Sequence, residues 1–210
     1  RLAAGKTAKR ILISCAARLA PFGISEIAEL TSTNEIDIGS IGERKTALFV
    51  IISDTNSTLN FLAAIFYSQL FDVLCHVADT KYGGQLPVPV RCILDEFSNL
   101  GTLPNFTNTI TTIRSRLISA DVIIQDLQQL KTKYKESAGT IIANCGTAIF
   151  LGGKDTDTNK KIVEVVGKQT VDISTRGISH SRDTSNSVNF QRIARDLITV
   201  DELGVMDADK

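Results

Sequence analysis

The hydrophobic and polar positions of this chain form two patterns, continuous apolar runs and stretches with apolar residues at helical spacing. Four apolar runs, rich in β-branched residues, occupy residues 46–53, 88–94, 118–125 and 147–153. Such short runs, bounded by turn-forming residues, are typical of buried strands in a parallel sheet. Because helical stretches separate the runs, the pattern predicts a mostly parallel, layered α/β domain.

The stretches between and before these runs are predicted to be helical. They cover residues 2–20, 59–77, 104–116, 127–143 and 155–166. Pro21 and Gly167 provide stop signals for the first and last of them. We expect the segment 127–143 to be broken near Ser137 or Gly139, because both residues interrupt the helical pattern.

The C-terminal part of the chain follows a different pattern. Residues 170–175 and 187–190 are predicted to be short polar strands of a β-hairpin, with a Ser/Arg-rich loop at 176–186 between them. Residues 195–206 are predicted to form a final helical segment. Thr199 and Glu202 have the spacing of a capping box, in which the two residues satisfy each other's backbone N–H groups.

The apolar run 88–94 ends abruptly in two adjacent carboxylates, Asp95 and Glu96. Ligands of open α/β sheets bind at the carboxyl ends of the strands, so a carboxylate pair at this point is expected to lie in a ligand-binding site. The pattern is that of a Walker B motif, in which the first carboxylate holds Mg²⁺ through water and the second polarises an attacking water. For the pair in isolation, capping of the following helix is an equally good interpretation, because carboxylates suit the positive end of a helix dipole.

Two further predicted strands bring polar groups to the same edge. The run 118–125 ends in Gln125, and the first run ends in Ser53 and Asp54. A glutamine beside a Walker B strand could contact the γ-phosphate of a nucleotide or its attacking water. The alternative is that Gln125 only caps the next helix. Beside the carboxylate pair, we favour the nucleotide-contacting role.

Arg114 and Arg116 lie between these two motifs, near the end of a predicted helix. Positive charge there complements the helix dipole, which is the simpler interpretation and the stronger one from the residues alone. The functional alternative is an arginine finger that reaches the nucleotide of a neighbouring subunit.

Composition narrows the class of function. Of the 210 residues, 23 are Lys or Arg and 23 are Asp or Glu, so the formal net charge is zero. This balance argues against a protein whose whole surface binds nucleic acid, although it allows a local basic loop. Lys131, Lys133 and Lys135, or Arg176 and Arg182, are candidates, but most clusters of this kind are solvated surface.

The spacing of the cysteine and histidine residues argues against a zinc site. The four cysteines are isolated and the two histidines are far apart, so no zinc site is expected; the cysteines are predicted to be buried, reduced thiols of a cytosolic protein. The longest apolar stretch, residues 61–67, is too short to span a bilayer and lacks signal-peptide flanks. Because the chain starts at Arg1 inside a predicted helix and its only methionine is Met206, we expect it to be a piece of a longer protein.

Two sequences imitate a phosphate-binding loop. Residues 4–7 contain Gly-Lys-Thr, but they lack the earlier glycine and the preceding strand, and the glycines at 152–153 do not match the motif. We therefore predict that this chain contains no phosphate-binding loop.

The segment 93–101, Ile-Leu-Asp-Glu-Phe-Ser-Asn-Leu-Gly, resembles the Walker B region of the type IV secretion coupling proteins, the TraG-like conjugative DNA-transfer ATPases. The similarity extends, with its spacing intact, over nearly the whole chain. It includes residues 18–22, 48–54, 112–116, 123–125, 144–147, 150–153 and 201–203.

The resemblance implies a RecA-like hexameric motor of the FtsK/HerA kind, held at the cytoplasmic face of the bacterial inner membrane by an N-terminal anchor that this chain does not contain. No membrane-spanning segment is expected here. Such a motor uses ATP and Mg²⁺ to move relaxase-bound single-stranded DNA, with relaxosome proteins as partners, into the type IV secretion channel. By the family pattern, residues 1–42 are the end of an inserted all-α domain and a linker, and residues 43–210 are the C-terminal part of the motor domain, including the C-terminal β-hairpin.

Family roles transfer by position. Asp95 matches the Mg²⁺ carboxylate, Glu96 the catalytic carboxylate and Gln125 the γ-phosphate-sensing glutamine; Arg114 matches the proposed arginine finger, with Arg116 as the fallback. The lysine and hydroxyl residue of the family's Walker A motif have no counterpart. We therefore expect the isolated chain to bind ATP weakly and to be inactive. Two alternatives remain open, a non-catalytic module that recognises relaxosome proteins and a general HerA/FtsK-type DNA translocase.

Overall fold

The computed structural model describes residues 5–53, 59–179 and 185–206, which form eight α-helices and four β-strands. The helices are α1 (Gly5–Leu19), α2 (Ser25–Ser32), α3 (Asn60–Lys81), α4 (Phe106–Thr112), α5 (Leu127–Tyr134), α6 (Ala138–Asn144), α7 (Thr156–Val166) and α8 (Val200–Gly204). The strands are β1 (Val90–Leu94), β2 (Ile118–Val122), β3 (Lys168–Ser179) and β4 (Ser185–Asp196). Each helical stretch predicted between residues 2 and 166 contains at least one helix, and the ends differ by up to four residues among the described residues.

Strands β1 and β2 pair in parallel, in the register Val90↔Ile118 to Leu94↔Val122. This pairing confirms the predicted strands at 88–94 and 118–125 and their parallel arrangement. Beyond the strand ends, the Ile123 amide donates to the Leu94 carbonyl at 3.1 Å, and the Phe97 amide donates to the Ile123 carbonyl at 3.0 Å. The two segments that follow the strands are therefore held side by side.

Helix α3 is the central helix of the hydrophobic core. Seven of its 22 residues are buried, and they join one cluster with Cys92 and Leu94 of β1 and Ile118 of β2. The helix contacts the 3₁₀ turns Ile38–Gly42, Phe97–Leu100 and Ile113–Arg116. The apolar residues of α3 therefore form the face of the helix that packs into the core.

Helix α3 has 22 residues and is longer than the apolar stretch 61–67, whose length alone predicts no segment that spans a bilayer. By length and composition alone, α3 is sufficient to cross a membrane, and residues 7–32 satisfy the same test only as a pair of segments bent by 83°. A core helix passes this test as readily as a membrane span. Because α3 packs into the core through its buried residues, its length is weak evidence for a span.

Strand β1 is covered on one face only. Cys92 and Leu94 are buried, whereas Arg91 and Ile93 on the opposite face are exposed, and Ile93 has an exposed fraction of 61%. A strand buried on both faces would cover all four residues. The sequence prediction of complete burial is therefore wrong within the described part of the chain.

Two predicted strands, 46–53 and 147–153, are wrong, because neither run forms a strand in the structure. Their large side chains are exposed: Phe49 has an exposed fraction of 85%, Ile51 of 96% and Ile149 of 80%. A strand needs a neighbour to accept and donate its backbone hydrogen bonds. Neither run pairs with another strand among the described residues.

The C-terminal hairpin is confirmed but is longer than predicted. Strands β3 and β4 pair antiparallel from Lys168↔Asp196 to Ser179↔Ser185, so much of the predicted loop 176–186 is strand. Residues 180–184, including Arg182, lie outside the described residues. The predicted helical segment 195–206 shrinks to α8, because Arg195 and Asp196 complete β4. The capping box of Thr199 and Glu202 is confirmed.

The predicted break in the segment 127–143 is confirmed. Helices α5 and α6 are separated by the 3₁₀ turn Lys135–Ser137, and Lys135 has a φ of 50°, which no helix interior accommodates. The exposed lysines 131, 133 and 135 lie on α5 and this turn. Their role in DNA binding stays a prediction.

The boundary between residues 42 and 43 also stays a prediction. In the structure the backbone of Gly42 packs closely against the core. A Cβ atom added at Gly42 would lie only 2.7 Å from a Leu86 methyl group. Glu43 forms an ion pair with Lys81 of α3 at 2.6 Å. A larger residue at position 42 would therefore have to displace the buried Leu86 side chain.

The cysteines are free thiols, as predicted, but only Cys92 is fully buried. Burial raises the pKa of the Cys92 thiol to about 11. Cys75 and Cys145 are half-buried. Cys15 is exposed on α1, so the prediction of burial is wrong for that residue.

Candidate functional site: a carboxylate–amide cluster at the edge of the parallel strands

The backbone at the end of β1 is held in an unusual conformation. Glu96 has a φ of 48° and a ψ of 45°, in the left-handed region that residues with a Cβ rarely occupy. This conformation costs about 1 kcal/mol and persists where the surrounding structure fixes it. Here the neighbouring Phe97, which is fully buried, stacks on Tyr134 with 5.6 Å between ring centroids and an angle of 7°.

The turn after β1 places the Glu96 carboxylate against Gln125, which follows β2. The Gln125 Nε2 group donates a hydrogen bond to Glu96 Oε1 at 3.0 Å. The parallel register brings these two residues together across the ends of adjacent strands, although 29 positions separate them in the sequence. The structure thus joins two of the predicted site residues in direct contact.

Neither the Glu96 nor the Gln125 side chain makes a capping hydrogen bond to a helix. The segment after Glu96 is a single 3₁₀ turn, and the Glu96 side chain makes no capping hydrogen bond to its backbone. The N-cap of α5 is Asp126, whose carboxylate accepts the Gln129 amide at 2.8 Å. The capping alternatives for Glu96 and Gln125 therefore lose their support.

Asp95 is exposed beside this contact. Its Oδ1 accepts the Glu96 amide at 3.0 Å, and its other oxygen has no hydrogen-bond partner among the described residues. Mg²⁺ prefers hard oxygen ligands and is usually held by one or two carboxylates together with waters and phosphates. The exposed carboxylate of Asp95 fits a Mg²⁺ site of this kind. A cluster of three metal-ligating side chains is not found in the described ranges.

Two further amides belong to this cluster, and the sequence interpretation missed both. Asn99 Nδ2 lies 3.4 Å from Glu96 Oε2 as a hydrogen-bond donor, and Gln129 Nε2 donates to Gln125 Oε1 at 3.2 Å. Gln125 lies before the N-cap of α5 and Gln129 lies in its first turn, so their contact depends on how the chain enters the helix. Residue spacing alone does not predict such a contact.

The two arginines differ in their surroundings. Arg116 donates to both carboxylate oxygens of Asp79 at 2.7 and 2.9 Å, and to the Thr112 carbonyl at 3.1 Å. These hydrogen bonds lower the pKa of the Asp79 carboxyl below its ordinary value. Arg114 is exposed and makes no ion pair or side-chain hydrogen bond within the described ranges. Arg116 is therefore engaged by neighbouring residues of the fold, whereas the Arg114 side chain is exposed.

The third predicted strand end is not part of a strand. The run that ends at Ser53 forms no strand, and Asp54 lies outside the described residues. The site therefore consists of Asp95, Glu96 and Gln125, supported by Asn99 and Gln129.

The two parallel strands present an Asp-Glu pair and a glutamine at one edge of the sheet, which is where ligands bind in open α/β folds. A family model described as "Type IV secretory system Conjugative DNA transfer" matches residues 3–210. The chain belongs to this family, which confirms its resemblance to the type IV secretion coupling proteins.

Curated relatives agree with this assignment. The chain is 26% identical to protein VirD4 of Rhizobium radiobacter over 172 residues, which is 79% of this chain and 24% of the relative. It is 23% identical to protein VirD4 of Rhizobium rhizogenes over 178 residues, which is 84% of this chain and 26% of the relative. The chain thus spans about a quarter of the length of these relatives.

Solved structures show the same fold. The bacterial conjugative coupling protein TrwBdeltaN70, in its unbound monoclinic form, matches with a TM-score of 0.71 and 18% identity, over 99% of this chain and 47% of that one. TrwB in complex with the ATP analogue ADPNP matches with a TM-score of 0.67 and 20% identity, over 99% of this chain and 46% of that one. TrwB in complex with ADP and Mg²⁺ has a TM-score of 0.67 at 19% identity, with the same coverage. The likeness confirms the predicted RecA-like α/β fold.

Proposed function

We propose that this chain supplies the Walker B half of the nucleotide site in a hexameric, ATP-driven coupling protein. The motor would move relaxase-bound single-stranded DNA into a type IV secretion channel at the cytoplasmic face of the bacterial inner membrane. One observation carries the proposal: the Glu96–Gln125 hydrogen bond of 3.0 Å, at the edge where two parallel strands end beside Asp95. Membership of the conjugative DNA transfer family supports the substrate.

The chemistry of the side chains suits the hydrolysis of ATP with Mg²⁺. Bound ATP would supply the phosphoryl group, and Mg²⁺ would neutralise charge on its phosphates. Asp95 would hold the metal ion through its exposed carboxylate. Glu96 would orient a water and accept its proton, and the Gln125 amide would donate a hydrogen bond to the oxygens near the reacting centre. TrwB structures in complex with ADPNP, and with ADP and Mg²⁺, support this choice of ligands.

The exposed arginine supports a ring of subunits. Arg114 is not engaged by the described residues, whereas Arg116 is held by Asp79, so Arg114 is the one that would reach the nucleotide of a neighbouring copy. An arginine supplied in this way stabilises the charge that develops during phosphoryl transfer. Arg116 would then matter for the stability of the turn.

The organisation of the chain follows from the same proposal. Residues 1–42 would be the end of an all-α domain, and residues 43–210 would belong to the motor domain. The sequence contains no phosphate-binding loop, so the 210 residues alone would bind ATP weakly and would not hydrolyse it. The match to the conjugative DNA transfer family favours a coupling protein over a general translocase.

Transfer of DNA between cells tests this proposal. In donor cells that depend on the full-length protein, Asp95→Asn should reduce the frequency of conjugative transfer about 10- to 100-fold, the usual range for loss of a group that supports a metal site. Asp72→Asn makes the same chemical change at an exposed position of α3 and should leave transfer unchanged. Full transfer by Asp95→Asn, at equal protein levels, would favour the scaffold alternative over a motor.

A further inference from the structure

We infer that Gln129 is a positioning residue for nucleotide hydrolysis, because it sets the orientation of the Gln125 amide that contacts Glu96. This inference rests on the proposed function. The three side chains form a chain of hydrogen bonds: Gln129 Nε2 donates to Gln125 Oε1 at 3.2 Å, and Gln125 Nε2 donates to Glu96 Oε1 at 3.0 Å.

The direction of these hydrogen bonds follows from the charge of Glu96. An ionised carboxylate only accepts hydrogen bonds, so Gln125 must present its NH₂ group to Glu96. The oxygen of Gln125 then faces Gln129, which must present its own NH₂ group in turn. A reversal at Gln129 would place two acceptor oxygens against each other. Gln129 therefore favours the one orientation of Gln125 that supports Glu96.

The Oε1 end of the Gln129 side chain indicates that its hydrogen bond to Gln125 does not serve to stabilise the fold. Its Oε1 atom is buried and has no hydrogen-bond partner among the described residues. A buried acceptor without a partner disfavours the folded state. The backbone of Gln129 is fixed separately, because its amide donates to the N-cap Asp126 at 2.8 Å. The side chain can thus be replaced without removing the cap of α5.

The second carboxylate oxygen of Glu96 completes the arrangement. Asn99 Nδ2 lies 3.4 Å from Glu96 Oε2, a longer and weaker hydrogen bond than that from Gln125. Gln125 is therefore the main neutral partner of Glu96, and its orientation decides which lone pairs of the carboxylate remain free for water. This is why a residue that touches only Gln125 would affect hydrolysis.

Three variants test the inference. Gln129→Met keeps the length of the side chain but removes its donor, and Gln129→Glu keeps the shape but replaces the donor with an acceptor. Gln128→Met is the matched control, since Gln128 is exposed on the same turn of α5. In the full-length protein, we expect Gln129→Met to lower kcat for ATP hydrolysis about 5- to 10-fold with KM unchanged. Gln129→Glu should lower kcat further, and Gln128→Met should have no effect.

Stability and spectroscopy separate positioning from a structural role. In the full-length protein without nucleotide, Gln129→Met should unfold at a midpoint no lower than that of the original protein. The side-chain amide NMR signals of Gln125 should shift in Gln129→Met but not in Gln128→Met. Wild-type kcat in both Gln129 variants, or unchanged Gln125 signals, would overturn the inference. Greater activity in Gln129→Glu than in Gln129→Met would also overturn it. If Glu96→Gln hydrolyses ATP normally, the proposed function itself fails.

Discussion

Replacement of Glu96 by Gln in the full-length protein is expected to reduce kcat for DNA-stimulated ATP hydrolysis by about 10²- to 10⁴-fold, the usual contribution of a general base. The amide keeps the size of the side chain and one acceptor oxygen for Gln125, so the geometry of the turn should persist. The variant loses the ability to accept a proton from water. KM should therefore change little, and the loss should appear in kcat.

Glu29→Gln provides the control for this measurement. Glu29 is exposed on α2, and its side chain makes no hydrogen bond or ion pair within the described residues. The same chemical change there should leave kcat at the wild-type value. An active Glu96→Gln enzyme would remove Glu96 from the role of general base.

Replacement of Phe97 by Ala is expected to lower the free energy of unfolding by about 3–5 kcal/mol. Phe97 is fully buried, and its ring lies 4.9 Å from that of Phe106 and 5.6 Å from that of Tyr134, measured between centroids. Loss of the ring leaves a cavity beside the Glu96 turn. Urea unfolding of this chain measures the effect.

Phe190→Ala is the matched substitution for this experiment. Phe190 lies on β4 with an exposed fraction of 78%, so its truncation should change the free energy of unfolding by no more than about 0.5 kcal/mol. A similarly small effect for Phe97→Ala would show that packing of this ring contributes little to the stability of the fold.

The parallel strand pair and its polar edge could be predicted from the sequence. The runs before Asp95 and Gln125 are short, apolar and β-branched, and the rule that parallel strands end at one edge brings those residues together. The contact at 3.0 Å agrees with this prediction. Local patterns were sufficient here because both strands of the pair lie within the chain.

The same apolar pattern failed at residues 46–53 and 147–153. Hydrophobicity reports that a segment prefers to be buried, but a strand forms only where another strand completes its hydrogen bonds. Phe49 and Ile149 are as apolar as their counterparts in β1, yet they are exposed, and neither run pairs with a strand in the described ranges. Whether a run finds a strand to pair with depends on the whole fold, and the residues of the run do not specify it.

The finer geometry of the site was also beyond the sequence. The left-handed conformation of Glu96 depends on the packing of Phe97 against residues far along the chain, including Tyr134. The role of Gln129 depends on the direction in which Gln125 points across the strand ends. Both features arise from tertiary contacts, which residue types and spacing do not specify.

The central claim is that Asp95, Glu96 and Gln125 form one side of a nucleotide site. A structure of the full-length protein with Mg²⁺ and a non-hydrolysable ATP analogue tests it most directly. We expect the metal ion to lie beside the Asp95 carboxylate, with the γ-phosphate facing the hydrogen-bonded pair of Glu96 and Gln125. A nucleotide whose phosphates and metal ion contact none of these three residues would contradict the account.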